Sequence, residues 1–153
     1  MAQVDGAQAD GAVDRPPPDP PRTAAHEMFA RDKASQALGI ELVCAAGGSA
    51  VARMRVTTDM VNGHGMTHGG FVFLLADTAF ALACNTAGQV TVAAGADITF
   101  LRSTAAGDEL EARASERATS GRSGVYDVTV TRNGDVIAEF RGRSRVVSPG
   151  RPG

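Results

Sequence analysis

Residues 67–88 read THGGFVFLLADTAFALACNTAG. From Gly69 to Cys84 the stretch is almost entirely apolar, small or glycine, and it carries one carboxylate, Asp77. The run predicts a long helix from Gly70 to about Thr86, closed by Gly88. A helix that is apolar nearly all round must be covered on every side. An ionised carboxylate costs several kcal/mol to bury unless it is paired or hydrogen-bonded, on the order estimated for isolated charges. Three and four residues from Asp77 lie Phe73, Leu74, Phe80 and Ala81, and none offers a proton or a positive charge. A bond to a distant group such as Thr99 would make Asp77 structural. Without one, it marks a site with a raised or tuned pKa.

His68-Gly69-Gly70 opens the same helix. A helix N-terminus carries unpaired N–H groups and partial positive charge. Glycines there either make a tight entry into the helix or admit a ligand carbonyl to those N–H groups, an oxyanion hole in outline. Seven residues of helix place Asp77 nearly under Gly70 but about 10 Å along the axis. Asp77 therefore cannot serve a carbonyl held at the start of its own helix. Two such helices packed antiparallel would bring each Asp77 to the other chain's Gly69, giving two composite sites per dimer. An acid facing a polarised acyl carbon suits hydrolysis, with Asp77 activating a water or attacking directly through an anhydride.

Outward from the helix, the chain takes on strand period. Residues 23–39 look like one short N-terminal helix with Met28, Ala34 and Leu38 on one face and Gly39 at its end. Ile40, Leu42 and Cys44 then alternate, Gly47-Gly48 makes a turn, and Ala50, Ala52, Met54 and Val56 alternate on the return strand. After the long helix come Val92, Ala94, Ala96, Ile98 and Phe100, then Leu110, Ala112 and Ala114. The last hairpin turns at Asn133-Gly134, a type I′ signal, and its final strand turns Glu139, Arg141, Arg143 and Arg145 outward. Helix, two strands, long helix, four strands is an α+β order. It predicts a curved antiparallel sheet of about six strands wrapped around the apolar helix.

Residues 1–22 are rich in Ala, Asp, Gly and Pro and are expected to form a disordered tail, with Pro16–Pro18 a stiff spacer. Residues 148–153 are expected to be a second such tail, leaving a domain over 23–147. A net charge of −2 gives no footprint for nucleic acid. No run of eighteen apolar residues suggests a membrane span. The N-terminus lacks the apolar region of a secretory signal. Cys44 and Cys84 have no CxxC spacing and read as reduced thiols of a cytoplasmic protein. His64 and His68 stand four apart on a glycine loop with no third ligand nearby, so no metal is expected.

The string NGHGMTHGGFVFLLADTAFALACNTAG, residues 62–88, closely resembles the signature of the hotdog-fold acyl-CoA thioesterases of the phenylacetic-acid-degradation type. The resemblance continues through ADITFLR, SGRSGVYDVTV and AEFRGRSR, and back through AHEMFARDKASQALGIELV, covering about residues 24–147. It implies a hotdog fold, a homodimer that usually pairs into a homotetramer, and hydrolysis of phenylacetyl-CoA or related aromatic acyl-CoA thioesters. It implies no cofactor, since coenzyme A belongs to the substrate. Carried onto this chain, Asp77 is the catalytic carboxylate and the Gly69 amide polarises the thioester carbonyl. His68 orients the site or the leaving thiol, and Asn62 helps hold the water or the acyl end. Some relatives carry an Asn in the N-terminal helix where this chain has Arg31. Others carry a Ser in the strand after the long helix where it has Ala93.

Coenzyme A needs positive charge for its phosphates. Candidates are Arg102 and the loop Arg122-Ser123. Gly70, Phe73, Leu74 and Phe80 are candidate walls of the acyl pocket, although Phe73, Leu74 and Phe80 also suit a core. Other functions fit the same fold: a non-catalytic acyl-CoA-binding protein, which needs the pocket but not Asp77, or a thioesterase preferring medium-chain aliphatic acyl groups. A hydratase would want an Asp–His pair near the helix start, and the acid here lies mid-helix.

Overall fold

The computed structural model describes residues 21–147. The expected tails over 1–22 and 148–153, with Pro16–Pro18, fall almost wholly outside the described residues. The chain forms α1 (Ala24–Ala30), α2 (Lys33–Ala37), β1 (Glu41–Ala46), β2 (Ser49–Arg55), a single 3₁₀ turn (Thr58–Met60), α3 (Gly69–Cys84), β3 (Thr91–Phe100), β4 (Glu109–Ser120), β5 (Ser123–Arg132) and β6 (Asp135–Val146). The six strands make one sheet in the order β1-β2-β4-β5-β6-β3, antiparallel throughout.

Alternation along the strands places α3. Ala112 and Leu110 of β4, Val128 and Val130 of β5, and Ala138 and Phe140 of β6 are buried on the inner face against Leu75, Ala79, Phe80 and Leu82 of α3. Fully burying side chains such as Leu75, Phe80 and Leu82 stabilises by about 1.5–3 kcal/mol each. On β6 the outward residues Glu139, Arg141, Arg143 and Arg145 are exposed, as the period-two pattern requires. Between β5 and β6, Asn133 (φ 50°) and Gly134 (φ 85°) are both left-handed, the type I′ turn the sequence signals. The C-terminal end of α3 is locked by Asn85. Its amide donates to Ala81 O (2.8 Å) and Thr91 O (2.9 Å), and its Oδ1 accepts from Thr91 N–H (3.0 Å).

Three local expectations need correction. The N-terminal helix is broken at Arg31-Asp32, because Asp32 caps a second helix: its carboxylate accepts from the Ser35 N–H at 3.0 Å. The break turns Ala25 and Ser35 inward and leaves Ala34 exposed. In β1 a bulge between Leu42 and Cys44 shifts the register, so Ala45 is buried and Cys44 is only half-buried. In β3 the alternation does not become burial. Among the described residues this strand pairs only with β6, and Val92, Ala94 and Phe100 are exposed.

Candidate active site

The loop before α3 is held by Asn62. Its Oδ1 accepts from the N–H groups of His64 (2.9 Å) and Met66 (3.2 Å), and its own N–H donates to Met66 O (2.7 Å). Asn62 thus shapes the turn that delivers His68, and its side-chain amide N–H groups have no partner recorded among the described residues. His68 N–H donates to Met60 O (2.7 Å), while Thr104 Oγ1 donates to Thr67 Oγ1 (2.7 Å), pinning the helix entry to the loop after β3.

His68 is the N-cap of α3, and its Nδ1 accepts from the Gly70 N–H at 2.9 Å. That bond fixes the tautomer: in the neutral ring the proton sits on Nε2, which faces solvent. Phe71 N–H donates to His68 O. Of the first three amides of α3, only that of Gly69 has no hydrogen-bond partner among the described residues. It is the donor left over for a ligand oxygen.

The space beside the two glycines is not open. A Cβ on Gly69 would sit 2.9 Å from Cζ of Phe100, and one on Gly70 would sit 3.1 Å from Nδ1 of His68. The Phe100 ring fills the place a side chain at 69 would take, so a Cβ there would have to push that exposed ring aside. Sequence reasoning offered a tight helix entry or a ligand carbonyl for that room and missed Phe100, whose position at the end of β3 could have been found only by pairing the strand with the helix start. The ring borders a cleft of about 420 Å³ together with Met66, Gly69, Leu101 and Arg102. Phe100 and Leu101 are each more than half exposed, so this wall is apolar and open. Arg102 is held at the rim by a bond to Val136 O.

Asp77 lies on the one face of α3 that the sheet does not cover. Gly70, Phe73, Leu74, Asp77 and Ala81 are exposed or half-buried, at the spacing of one helix stripe, while beyond the first turn the other faces are buried. Phe73 leans edge-on against Phe140, ring centroids 5.3 Å apart, and it and Leu74 belong partly to the core. The Asp77 carboxylate has no hydrogen bond or ion pair among the described residues, Thr99 included. Burial, and next the charge of Asp32, hold its pKa above the usual carboxylate range. A raised pKa makes a carboxylate a better proton acceptor once ionised.

Arg122 and Ser123 sit elsewhere. Ser123 pairs with Arg145, which pairs with Val92 at the far end of β3 from Phe100. Eight residues of strand separate those ends by roughly 25 Å. A hollow of about 450 Å³ opens beside Ser123, but its lining has neither a carboxylate nor a helix N-terminus. One chain brings Gly69, His68, Asn62 and Arg102 together at one end and Gly70, Phe73, Leu74 and Asp77 along one stripe. It does not bring Arg122 and Ser123 to either. Among the described residues no three His, Cys, Asp or Glu side chains stand close enough to share a metal ion.

An apolar helix with one bare stripe, wrapped by a six-stranded antiparallel sheet and leaving, among the described residues, an N–H without a partner at its start and an acid without one on that stripe, is a hotdog fold. The chain belongs to the thioesterase superfamily, whose family model matches residues 64–139, and it is a thioester hydrolase. It is 46% identical over 121 residues to the acyl-coenzyme A thioesterase PaaI of Escherichia coli, spanning 78% of this chain and 86% of that one. The solved structure of E. coli PaaI, from the phenylacetic acid degradation operon, superposes with a TM-score of 0.80 over 82% of this chain and 91% of that chain, at 44% identity. A structure of the phenylacetic acid degradation protein PaaI from Thermus thermophilus gives a TM-score of 0.74 at 40% identity, over 76% of this chain and all of that one. A Streptococcus mutans protein solved bound to acetyl CoA shares 25% identity and a TM-score of 0.69, over 73% of this chain and 91% of its own.

Proposed function

We propose that this chain hydrolyses aromatic acyl-CoA thioesters, phenylacetyl-CoA and hydroxyphenylacetyl-CoA foremost, to the free acid and coenzyme A. The observation that carries the reading is the pairing of two unspent groups on α3: the Gly69 N–H and the Asp77 carboxylate, seven helical residues beyond Gly70. The Gly69 N–H receives the thioester oxygen. Asp77 takes a proton from water as the water oxygen bonds to the carbonyl carbon. Charge gathers on the acyl oxygen against the amide and the helix N-terminus. Collapse of the adduct breaks the C–S bond, and the proton passes from Asp77 to the departing sulfur. His68 Nε2–H faces the leaving thiol, and the free amide of Asn62 holds the water or the acyl end. The reaction draws on no cofactor.

The two groups meet across a homodimer. The bare stripe of α3 and the unpaired edge of β3 both lack cover in one chain, and a second copy related by a two-fold axis covers both. Antiparallel pairing of the two β3 edges extends the sheet and lays the helices antiparallel, each Asp77 against the other copy's Gly69. It also carries Arg122 and Ser123 toward the second copy's cleft, where they and Arg102 meet the phosphates of coenzyme A. Two dimers form the homotetramer. The enzyme works in the cytoplasm; among the described residues no helix is long and apolar enough to cross a membrane.

The test offers phenylacetyl-, hydroxyphenylacetyl-, benzoyl- and medium-chain acyl-CoA to the purified protein and to Asp77→Asn, with release of coenzyme A followed. Aromatic substrates are expected to turn over fastest, and the variant to lose at least about a hundredfold in kcat, the scale of a positioned base. Equal rates in the two proteins, or activity in an isolated monomer, would sink the reading. Fastest turnover of aliphatic thioesters would keep the chemistry and change the substrate.

A further inference from the structure

Beside Asp77, the next residue on α3 makes a connection that the chemistry above does not use. Thr78 is buried, with its Oγ1 2.9 Å from Oγ of Ser35, itself 2% exposed, on α2. Ser35 Oγ lies 2.6 Å from Oδ2 of Asp32, whose Oδ1 accepts from the Ser35 N–H. The directions of these bonds are fixed. The Asp32 carboxylate can only accept, so the single hydroxyl proton of Ser35 points to it. Thr78 must then donate to Ser35. The chain of donation runs from α3 to the carboxylate that caps α2, and ties Asp32 to the helix residue that follows Asp77.

We propose that Ser35 is a positioning residue for the hydrolysis: through Thr78 it fixes the helix turn that carries Asp77, and through Asp32 it keeps a resident negative charge beside that carboxylate. The inference rests on Asp77 being the base. After burial, the charge of Asp32 raises the pKa of Asp77 further. The strands packed on α3 point their charges, Arg53, Glu111, Arg113, Asp127, Arg141 and Arg143, to the outer face. Glu116 is bonded to Tyr126, and His26 of α1 is bonded to Thr23. Cys84, two turns on, is neutral, since burial pushes its thiol up to about 11. The dimer proposed above also brings His68 of the partner subunit toward this end, and it is common to wild type and every variant below. A like charge held beside a base keeps its proton on to higher pH and strengthens it as an acceptor.

The variants Asp32→Asn, Ser35→Ala, Thr78→Val, Thr78→Ser and Asp77→Asn are compared with wild type on phenylacetyl-CoA, with kcat and KM measured across the acid and neutral range and melting followed in parallel. Asparagine caps a helix as aspartate does, so Asp32→Asn removes the charge while keeping the cap. Its acid limb in kcat/KM is expected to move to lower pH. Ser35→Ala and Thr78→Val are expected to lower kcat about tenfold with KM within about twofold, the signature of a misplaced group. Thr78→Ser restores most of that loss. If Asp32→Asn does not fold, Asp32→Ser, which also caps without charge, carries the same comparison. An acid limb that stays put in the uncharged variant, or unchanged kcat in Ser35→Ala, overturns the inference. Should Asp77→Asn keep its rate, the base assignment falls first; should it be inactive while the limb stays put, only the role of Asp32 and Ser35 falls.

Discussion

Two glycines in this molecule have their missing side chain replaced by a phenylalanine ring, and the two contacts have opposite consequences. A Cβ on Gly142 of β6 would lie 2.8 Å from the ring of Phe80, which is 1% exposed and wedged between Tyr126 and Phe140. A Cβ on Gly69 would lie 2.9 Å from Phe100, whose ring is 53% exposed at the cleft. The first ring has nowhere to go and the second can swing into solvent. The same local geometry therefore serves packing at one place and leaves an adjustable wall at the other. Close approach alone does not say which, and the freedom of the neighbour decides.

The sharpest way to break the contrast is Gly142→Ala. Overpacking against a fixed ring is expected to cost about 3 kcal/mol, read by denaturant unfolding, with activity per folded molecule preserved. Next in size, Gly69→Ala is expected to lower kcat/KM for aromatic thioesters about tenfold while changing stability by less than about 1 kcal/mol, because it displaces only the exposed ring. Adding Phe100→Leu should recover part of that loss if the clash with the ring is its cause. A fall in stability for Gly69→Ala as large as that for Gly142→Ala would erase the distinction between the two sites. Smaller again, His68→Ala removes the cap on the Gly70 N–H and should cost about 1 kcal/mol.

The smallest expected effect sharpens the contrast from the side of function. The pKa of Asp77 is raised in the folded chain, chiefly by burial. A carboxyl group with a raised folded pKa contributes stability that is fully present below its unfolded pKa and is lost as pH rises through the folded value. At neutral pH Asp77 therefore weakens the fold. Asp77→Asn should be slightly more stable than wild type at neutral pH, with the advantage gone in acid, as followed by melting temperature against pH. A neutral-pH loss in the variant would mean that the carboxylate has a stabilising partner.

Much of the frame was legible in the residues. The largely apolar run of 69–84 marked α3, and Asn133-Gly134 marked the last turn, because each depends on local preference alone. Asp77 stood out for want of a partner within its own helix, and the described residues supply none. What escaped depended on contacts between distant segments. Phe100 reads as one more residue of an alternating strand until β3 is laid beside the start of α3. The break before α2 was signalled by Asp32, a residue type favoured at a helix N-cap, and the apolar spacing of Met28, Ala34 and Leu38 obscured it. The bare edge of β3 was hidden because alternation reports which residues share a face, and is silent on whether anything lies against it.

The sheet order has a consequence for how the chain is made. β3 pairs with β6 alone, and Phe100 waits for Ala138. During synthesis at about 5–20 residues per second, the intervening stretch of about 40 residues takes roughly two to eight seconds to leave the ribosome. For that interval an apolar strand has no neighbour on either edge. Asn85, which grips both backbone groups of Thr91, can tether the start of β3 to the helix already made. It keeps the waiting strand from wandering to another nascent chain.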